Sequence, residues 1–377
     1  MEARNVRYCM TDEGYFDTAA TALPWPEALR RFEEVSLRQF GNPSSSHEAG
    51  LQARETLETA RKAFLARVGF ADGTLVLTSG ATEANNLVLK GALQKGRPLL
   101  AADVHPSVWF AREGSDVVET GPDGRIAPEK LASSISKKTS LVSIVHANNE
   151  TGVVQDVKAL GEVCARKGVP LHVDGVQALG RLPVTLSELP FAFYTFSAHK
   201  FGGPRGVGGV IVRSATLAPQ ILGGGQEKGA RGGTENVAGL AAALTALDLA
   251  TRSLEGEGPR LRKLAGLLTD EIRTAIPDAL VNSSANGLPG LVSFSFPKLL
   301  GEEVVVELSL RGFFVSAGSA CGSGKMEPSR PVMAMGRTRE QALGTVRISM
   351  GRHTTEDAVR RLAAALRQVV EKQKALA

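Results

Sequence analysis

The sequence contains few cysteines, three among its 377 residues. Cys9, Cys164 and Cys321 are odd in number and their spacings match no zinc or CxxC pattern, which excludes a disulfide framework and predicts no metal site. Neither sign of charge predominates, because 44 basic residues face 39 acidic ones and the two signs are interspersed along the chain. This balance argues against a direct nucleic-acid partner.

Long hydrophobic runs are also missing. No uninterrupted apolar stretch approaches the roughly 18 to 20 residues of a membrane span, so we expect no membrane partner. Residues 1–14 carry charges and lack the apolar core of a signal peptide, and we therefore expect a cytoplasmic location. The apolar share of 43% and the charged share of 22% are typical of a globular protein and exclude disorder, collagen and coiled coil.

Short apolar runs alternate with longer segments of helical periodicity in the first two thirds of the chain. The runs predict strands at residues 75–77, 141–145, 171–173 and 207–212, and the segments between them predict helices that include 52–68 and 157–167. Runs that can be buried on both faces, with helices between them, indicate an α/β fold with a mostly parallel sheet flanked by helices.

The pattern changes after about residue 235. Long helices are predicted at 236–252 and 259–276, strands at 291–296 and 345–350, and a last helix at 355–375. We therefore place a large domain at residues 14–254 and a smaller α+β domain at 255–377, together with residues 1–13.

Polar residues that directly follow predicted strands are candidate ligand contacts, because open α/β sheets bind ligands beyond the carboxyl ends of their strands. The motif Ser-Gly-Ala-Thr-Glu at 79–83 follows one strand and opens a helix, so it suits an anion or is an ordinary helix cap. The motif His-Ala-Asn-Asn-Glu at 146–150 suits polar ligand contacts, although, taken alone, it is better explained by a turn.

Two strand ends carry more specific chemistry. Asp174 ends an apolar strand, and a buried carboxylate needs a partner, which is either structural or a protonated heterocycle. Lys200 follows the next strand and lies between two phenylalanines, where loss of water lowers a lysine pKa and makes the amine nucleophilic. A carboxylate, a reactive lysine and an anion cradle together meet the requirements of pyridoxal phosphate.

The stretch at 315–325 surrounds Cys321 with glycine and serine. Its Gly-Ser-Gly-Lys ending fails the Walker A pattern at Ser319 and Met326, which excludes a phosphate loop. We expect Cys321 to lie on an exposed loop, whereas Cys164 within a helical segment is predicted to be a core residue.

These residues closely resemble the motifs of the cysteine desulfurases in the class V aminotransferase family, which are fold-type I pyridoxal phosphate enzymes. The resemblance extends from Phe16 to about Thr355. Its motifs are Gly41-Asn42-Pro43-Ser44-Ser45 with His47, Thr78-Ser79-Gly80-Ala81-Thr82-Glu83, Asn148-Asn149-Glu150-Thr151-Gly152, Ser197-Ala198-His199-Lys200, Gly223-Gly224-Gly225-Gln226-Glu227, Gly233-Thr234-Glu235-Asn236 and Arg347-Ile348-Ser349.

The resemblance implies roles for individual residues around the cofactor pyridoxal 5'-phosphate. Lys200 carries the cofactor as an internal aldimine, Asp174 pairs with the pyridine nitrogen, and Gln177 contacts the ring hydroxyl. His105 stacks on the ring and serves in proton transfer. The residues that hold the phosphate are Ala81, Thr82, Ser197, His199 and, from the other subunit of a homodimer, Thr234. Those that bind the substrate L-cysteine are Asn149 and Arg347, with Cys321 as the nucleophile.

The same resemblance implies that sulfur leaves L-cysteine as a persulfide on Cys321, with L-alanine as the other product. The long loop after Cys321 resembles the branch that serves iron–sulfur cluster assembly and tRNA thiolation, so a sulfur-acceptor or scaffold protein is expected. Three positions depart from the family: Thr18 replaces a usual Asn, Gly175 replaces an Ala that touches the cofactor ring, and Gly232 replaces a larger residue.

Two alternatives stay open. The first is a selenocysteine lyase or another class V aminotransferase, in which Cys321 would have no catalytic part. The second is a non-catalytic sulfur-relay or nucleic-acid-binding protein, which would leave Lys200 and Asp174 without a purpose.

Overall fold

The computed structural model describes residues 12–92, 96–318 and 327–376. The chain divides into two compact units. The larger unit comprises Thr21–Asn149 and Val153–Glu255, and the smaller unit comprises the residues before Thr21, Glu150–Gly152 and the residues from Gly256 onward.

A seven-stranded sheet forms the centre of the larger unit. Its strands are β1 (Thr74–Thr78), β2 (Arg97–Ala101), β3 (Asp116–Val118), β4 (Thr139–Val145), β5 (Leu171–Asp174), β6 (Phe193–Ser197) and β7 (Gly208–Val212). They lie in the order β1-β7-β6-β5-β4-β2-β3. β7 is antiparallel to β1 and β6, and the other adjacent pairs are parallel, which confirms the predicted mostly parallel sheet.

Helices cover this sheet and bury its apolar strands. They are α1 (Pro26–Arg38), α2 (Glu48–Arg67), α3 (Ala81–Gly91), α4 (Pro106–Trp109), α5 (Pro128–Ser134) and α6 (Val157–Arg166). In α2 the apolar residues Ala53, Leu57, Ala60 and Phe64 recur at helical spacing and are buried in one continuous core with β1, β5 and β6. The strands β5, β6 and β7 are buried along their whole length, as expected for a sheet with both faces covered.

One long helix, α7 (Val237–Ala275), replaces the two helices predicted at 236–252 and 259–276, so that prediction is wrong. Pro259 lies inside this helix and removes one backbone hydrogen bond. Arg260 stabilises the same turn, because it pairs with Glu257 and donates to the carbonyl oxygens of Thr354 at 2.6 Å and Gly351 at 3.0 Å. By length and composition alone α7 is apolar enough to cross a membrane, and 56% of its most apolar stretch is buried within the protein.

The smaller unit is built on a four-stranded antiparallel sheet with the order β10-β11-β9-β8. Its strands are β8 (Leu280–Val281), β9 (Leu291–Ser295), β10 (Ser316–Ala317) and β11 (Thr345–Ser349), and its further helices are α8 (Gly301–Ser309), α9 (Arg330–Ala334), α10 (Arg339–Leu343) and α11 (Glu356–Leu376). A separate apolar core holds this unit together, with Phe294, Phe296 and Ile348 of the sheet against Leu362 and Leu366 of α11.

Candidate active site

The predicted site residues of the larger unit gather at one edge of its sheet. Asp174 is the last residue of β5 and Ser197 the last residue of the adjacent β6. Because β1 and β6 are both antiparallel to β7, their carboxyl ends lie at the same edge as those of the parallel strands. His105 and Asn149 come shortly after β2 and β4 at that edge. The sheet therefore places these groups where open α/β folds bind ligands.

Asp174 is a buried carboxylate with donors on both oxygens. The residue is only 5% exposed. Asn85 Nδ2 donates to its Oδ2 at 2.9 Å, and the backbone N–H of Val176 donates to its Oδ1 at 3.2 Å. These two bonds orient the carboxylate and offset part of the cost of burying its charge.

Lys200 lies in a single turn of 3₁₀ helix, Ala198–Phe201, that follows β6 directly. Trp25 fixes the end of this turn, because its Nε1 donates to the carbonyl oxygen of Phe201 at 3.1 Å. Gly202 has φ +86°, and a Cβ there would lie 2.6 Å from Trp25 Cδ1, so the position requires glycine. The backbone around the half-buried Lys200 is therefore held on its carboxyl side.

The predicted phosphate contacts lie around the start of α3. Ala81 and Thr82 form its first turn, and a Cβ on Gly80 would lie 3.6 Å from Ser197 Oγ, so the ends of β1 and β6 meet here. Burial and, to a smaller extent, the charges of Lys200 and Arg205 together lower the pKa of His199 to about 4. A neutral ring, hydroxyl groups and the free N–H groups of a helix start suit a phosphate.

The segment that carries Thr234 has an unusual backbone and a buried anchor. Glu227 and Lys228 adopt the left-handed conformation, with φ of 51° and 56°. The buried Glu227 carboxylate accepts from Arg61 at 2.9 and 3.1 Å and from the backbone N–H of Leu77 at 2.9 Å. Thr234 itself is exposed on this anchored segment.

Gln177 and Gly175 follow Asp174 and are both tightly packed. The side-chain oxygen of the buried Gln177 accepts a hydrogen bond from Arg181. A Cβ on Gly175 would lie 2.0 Å from Cε1 of Tyr194, whose hydroxyl bonds to Nδ1 of His146 at 2.9 Å. The departure from alanine at Gly175 therefore has a steric reason, since the Tyr194 ring fills the space of the methyl group.

The smaller unit carries the remaining predicted residues. Arg347 lies on β11, is 6% exposed and donates to Asp17 Oδ1 at 2.7 Å. Ser329, at the start of α9, donates to Glu150 Oε2 at 2.5 Å. Cys321 and Cys9 lie outside the described residues, and within those residues no cluster of His, Cys, Asp or Glu could hold a metal ion.

Cys164 is confirmed as a core residue, because it is buried in α6 and burial raises the pKa of its thiol to about 12. Sequence reasoning missed Asn85, Thr195 and Tyr194, which surround Asp174 at the sheet edge. The one local signal was Asn85 itself, an amide at an otherwise apolar position of α3 between buried Ala84 and Leu87.

Comparisons with known proteins identify the family that the chain resembles. Residues 14–362 match the model of the family described as aminotransferase class-V. A cysteine desulfurase IscS from Dictyoglomus turgidum is 34% identical over 96% of this chain and 96% of its own length. A protein of the same name from Serratia proteamaculans is 37% identical over 92% of this chain and 89% of its own length.

Solved structures give the same result for the fold. A structure described as a NifS-like protein superposes with a TM-score of 0.87, 30% identity and coverage of 95% of this chain and 99% of the other. A structure described as SspA in complex with cysteine superposes with a TM-score of 0.76 and 27% identity, and covers 91% of this chain and 100% of the other. The chain therefore belongs to the cysteine desulfurases of the class V aminotransferase family.

Proposed function

We propose that this protein is a pyridoxal phosphate-dependent cysteine desulfurase that converts L-cysteine and a protein thiol into L-alanine and a protein persulfide. The observation that carries the proposal is the position of two residues at the ends of neighbouring strands. Asp174 is a buried carboxylate that ends β5, and Lys200 lies in the 3₁₀ turn that follows β6. The cysteine desulfurase relatives and the neighbour solved with cysteine support it.

The donor set of the larger unit fits the cofactor. Lys200 would offer the amine that attaches it, and Asp174 would offer a carboxylate oxygen to the ring nitrogen. The start of α3, with Thr82, Ser197 and the neutral His199, offers donors to a phosphate. When bound, pyridoxal phosphate supplies an electron sink that stabilises negative charge on the amino-acid carbon skeleton.

The chain's own residues then have separate tasks. Asn85 and Val176 orient the Asp174 carboxylate by donating to its two oxygens. With the cofactor bound, the Lys200 amine would act as the general base that takes the α-proton of the substrate. The family resemblance assigns substrate binding to Asn149 and to Arg347, and a guanidinium such as that of Arg347 offers bidentate geometry to a carboxylate.

Sulfur transfer needs no external oxidant. The thiolate of Cys321 attacks the substrate sulfur, so one S–S bond forms as the Cβ–S bond breaks. The electron pair of that Cβ–S bond stays with the carbon skeleton, which takes a proton and leaves as L-alanine. An ordinary thiol is only a few per cent ionised at pH 7, so Cys321 depends on positive charge or a base in the site.

A homodimer and a sulfur acceptor belong to the same proposal. Thr234 is exposed on the segment that Glu227 anchors, and Leu222 nearby is 82% exposed, so this surface would suit contact with a second copy of the chain. The persulfide would pass to an acceptor or scaffold protein for iron–sulfur cluster assembly or tRNA thiolation. A cytoplasmic location suits this chemistry, because reducing compartments keep thiols free.

The test uses purified protein with L-cysteine under a small-molecule reductant, with alanine and sulfide measured together. Wild type should be yellow and release both products in equal amounts. Lys200→Ala should lose the colour and turnover, and Cys321→Ser should keep the colour and lose nearly all turnover. Wild-type rates from Cys321→Ser would overturn sulfur transfer through this thiol. If that variant keeps full turnover of L-selenocysteine alone, the protein is a selenocysteine lyase.

A further inference from the structure

Asn85 lies at the centre of a buried hydrogen-bond network beneath the site. It is fully buried on α3 and uses all of its side-chain hydrogen-bonding groups. Its Nδ2 donates to Asp174 Oδ2 and to Ser107 Oγ, each at 2.9 Å. Its Oδ1 accepts from the hydroxyl of Thr195 at 2.7 Å. A primary amide is needed here. A carboxylate cannot donate a hydrogen bond, and an aliphatic side chain of the same size can neither donate nor accept one.

The chemistry of the partners determines the direction of every bond on one side of Asn85. The reversed amide would place its oxygen against the Asp174 carboxylate, so Nδ2 is the atom that faces it. Thr195 gives its proton to Asn85 and therefore accepts from His172 Nε2 at 3.3 Å. His172 Nδ1 then accepts from the hydroxyl of Ser143 at 2.8 Å. Burial lowers the pKa of His172 to about 3, which agrees with a neutral ring.

The other side of Asn85 leads to His105. The backbone N–H of Ser107 donates to His105 Nδ1 at 3.1 Å, so this nitrogen carries no hydrogen. Ser107 Oγ lies 2.8 Å from the same nitrogen and accepts from Asn85, which leaves its own proton to donate to His105. Both donors require a lone pair on Nδ1, and the proton of the neutral His105 ring therefore lies on Nε2.

We propose that Asn85 is a positioning residue that holds the Asp174 carboxylate directly and, through Ser107, holds His105 as the Nε2–H tautomer. The inference rests on the proposed function for what Asp174 and His105 act upon. One amide thereby couples the group expected at the ring nitrogen to the group expected on the ring face. His105 enters the reaction as a hydrogen-bond and proton donor at Nε2, and not as a base at that atom.

The tautomer is measured first, without any turnover. In protein labelled with ¹⁵N-histidine, long-range ¹H–¹⁵N spectra distinguish the two ring nitrogens, and His105→Gln identifies the His105 signals among the six histidines. Wild type should show a pyrrole-type Nε2 and a pyridine-type Nδ1 at His105. Ser107→Ala should weaken this preference, because it removes the hydroxyl donor to Nδ1 and keeps the backbone N–H donor. A protonated Nδ1 in the neutral ring of wild type would overturn the proposal.

Turnover and cofactor spectra then distinguish the effect of Asn85 on Asp174 from its effect on His105 through Ser107. Asn85→Leu should lower kcat by roughly 10- to 100-fold, as for the loss of a hydrogen bond to a buried charge, with KM changed less than about threefold. It should also change the cofactor absorbance and the His105 tautomer, whereas Ser107→Ala should change the tautomer and leave the absorbance unaltered. An Asn85→Leu protein with wild-type kcat and spectrum would refute the positioning role.

A matched control tests for a general packing effect. Asn282 is another buried amide, bonded to Ser295 Oγ at 2.9 Å in the smaller unit, and Asn282→Leu should lower stability without altering the His105 signals. Thr195→Val serves where Asn85→Leu fails to fold. It keeps the Asn85 amide, removes the donor to Asn85 Oδ1 and the acceptor of His172 Nε2, and should weaken the tautomer preference. A wild-type protein without desulfurase activity would refute the proposed function. The tautomer measurement would still test whether Asn85 and Ser107 position His105.

Discussion

Gly175→Ala is expected to strain the larger unit strongly, for a reason visible in three distances. The added Cβ would lie 2.0 Å from Cε1, 2.1 Å from Cζ and 2.4 Å from the hydroxyl oxygen of Tyr194. The Tyr194 ring has no room to withdraw, because it is fully buried, packs edge-on against Phe191 and His146, and bonds to His146.

The magnitude follows from the shift that the clash requires. Ordinary contact begins at 3.4 Å, so ring and backbone must separate by about 1.4 Å (3.4 − 2.0). Overpacking of this size costs about 3 kcal/mol of unfolding free energy. Both tryptophans, Trp25 and Trp109, lie in the larger unit, so their fluorescence follows its unfolding in urea. With a slope of about 3 kcal/mol per molar, the midpoint should fall by about 1 M.

Two variants of Tyr194 make the explanation refutable. Tyr194→Phe keeps Cε1 and Cζ and should not rescue Gly175→Ala. Tyr194→Ala removes both atoms, so the double variant should be more stable than the sum of the single effects by about 2 kcal/mol. A Gly175→Ala protein within about 0.5 kcal/mol of wild type would show that the ring does not set the residue at this position.

Three further predictions concern other parts of the chain. Lys228→Gly should raise the unfolding free energy by about 0.5 kcal/mol, as measured by urea unfolding. The strain energy of a left-handed lysine is larger than the free-energy cost of the extra entropy that glycine gives the unfolded chain. Burial lowers the pKa of His172 to about 3 and that of His146 to about 4, so the unfolded chain binds more protons below pH 6.5. Stability should therefore fall as pH drops from 6.5 toward 4, by up to about 1.4 kcal/mol per pH unit for each ring, in a urea series; a flat profile would contradict it. Mixed Lys200→Ala and Thr234→Ala protomers should regain activity, because one site of the heterodimer carries neither defect; no recovery would refute the shared site.

Much of the site could be predicted from short segments of sequence. The apolar runs before Asp174 and Lys200 identify buried strands, and the polar residue at each strand end then lies at the edge where ligands bind. Cys164 was assigned to the core by helical periodicity alone, and its burial confirms that assignment. These inferences succeed because strand and helix periods are local properties, readable within about ten residues.

Prediction from local sequence failed where contacts with distant residues determine the structure. Pro259 predicts a helix break, yet α7 continues through it, with Arg260 bonded to carbonyl oxygens of Thr354 and Gly351 far along the chain. The residues next to the proline in sequence do not reveal these hydrogen bonds to the distant segment 351–354.

By itself the sequence determined several strands of each unit, the helices α2, α6 and α11, and the chemical groups at the strand ends, because these depend on spacing between near neighbours. Only the tertiary structure decided which groups meet. Asp174 lies 89 positions and Thr195 lies 110 positions beyond Asn85, and both bond to the Asn85 side-chain amide. Tyr194 fills the space beside Gly175 because β5 and β6 are adjacent in the sheet. Such pairings depend on how strands are ordered and packed, which no local pattern encodes.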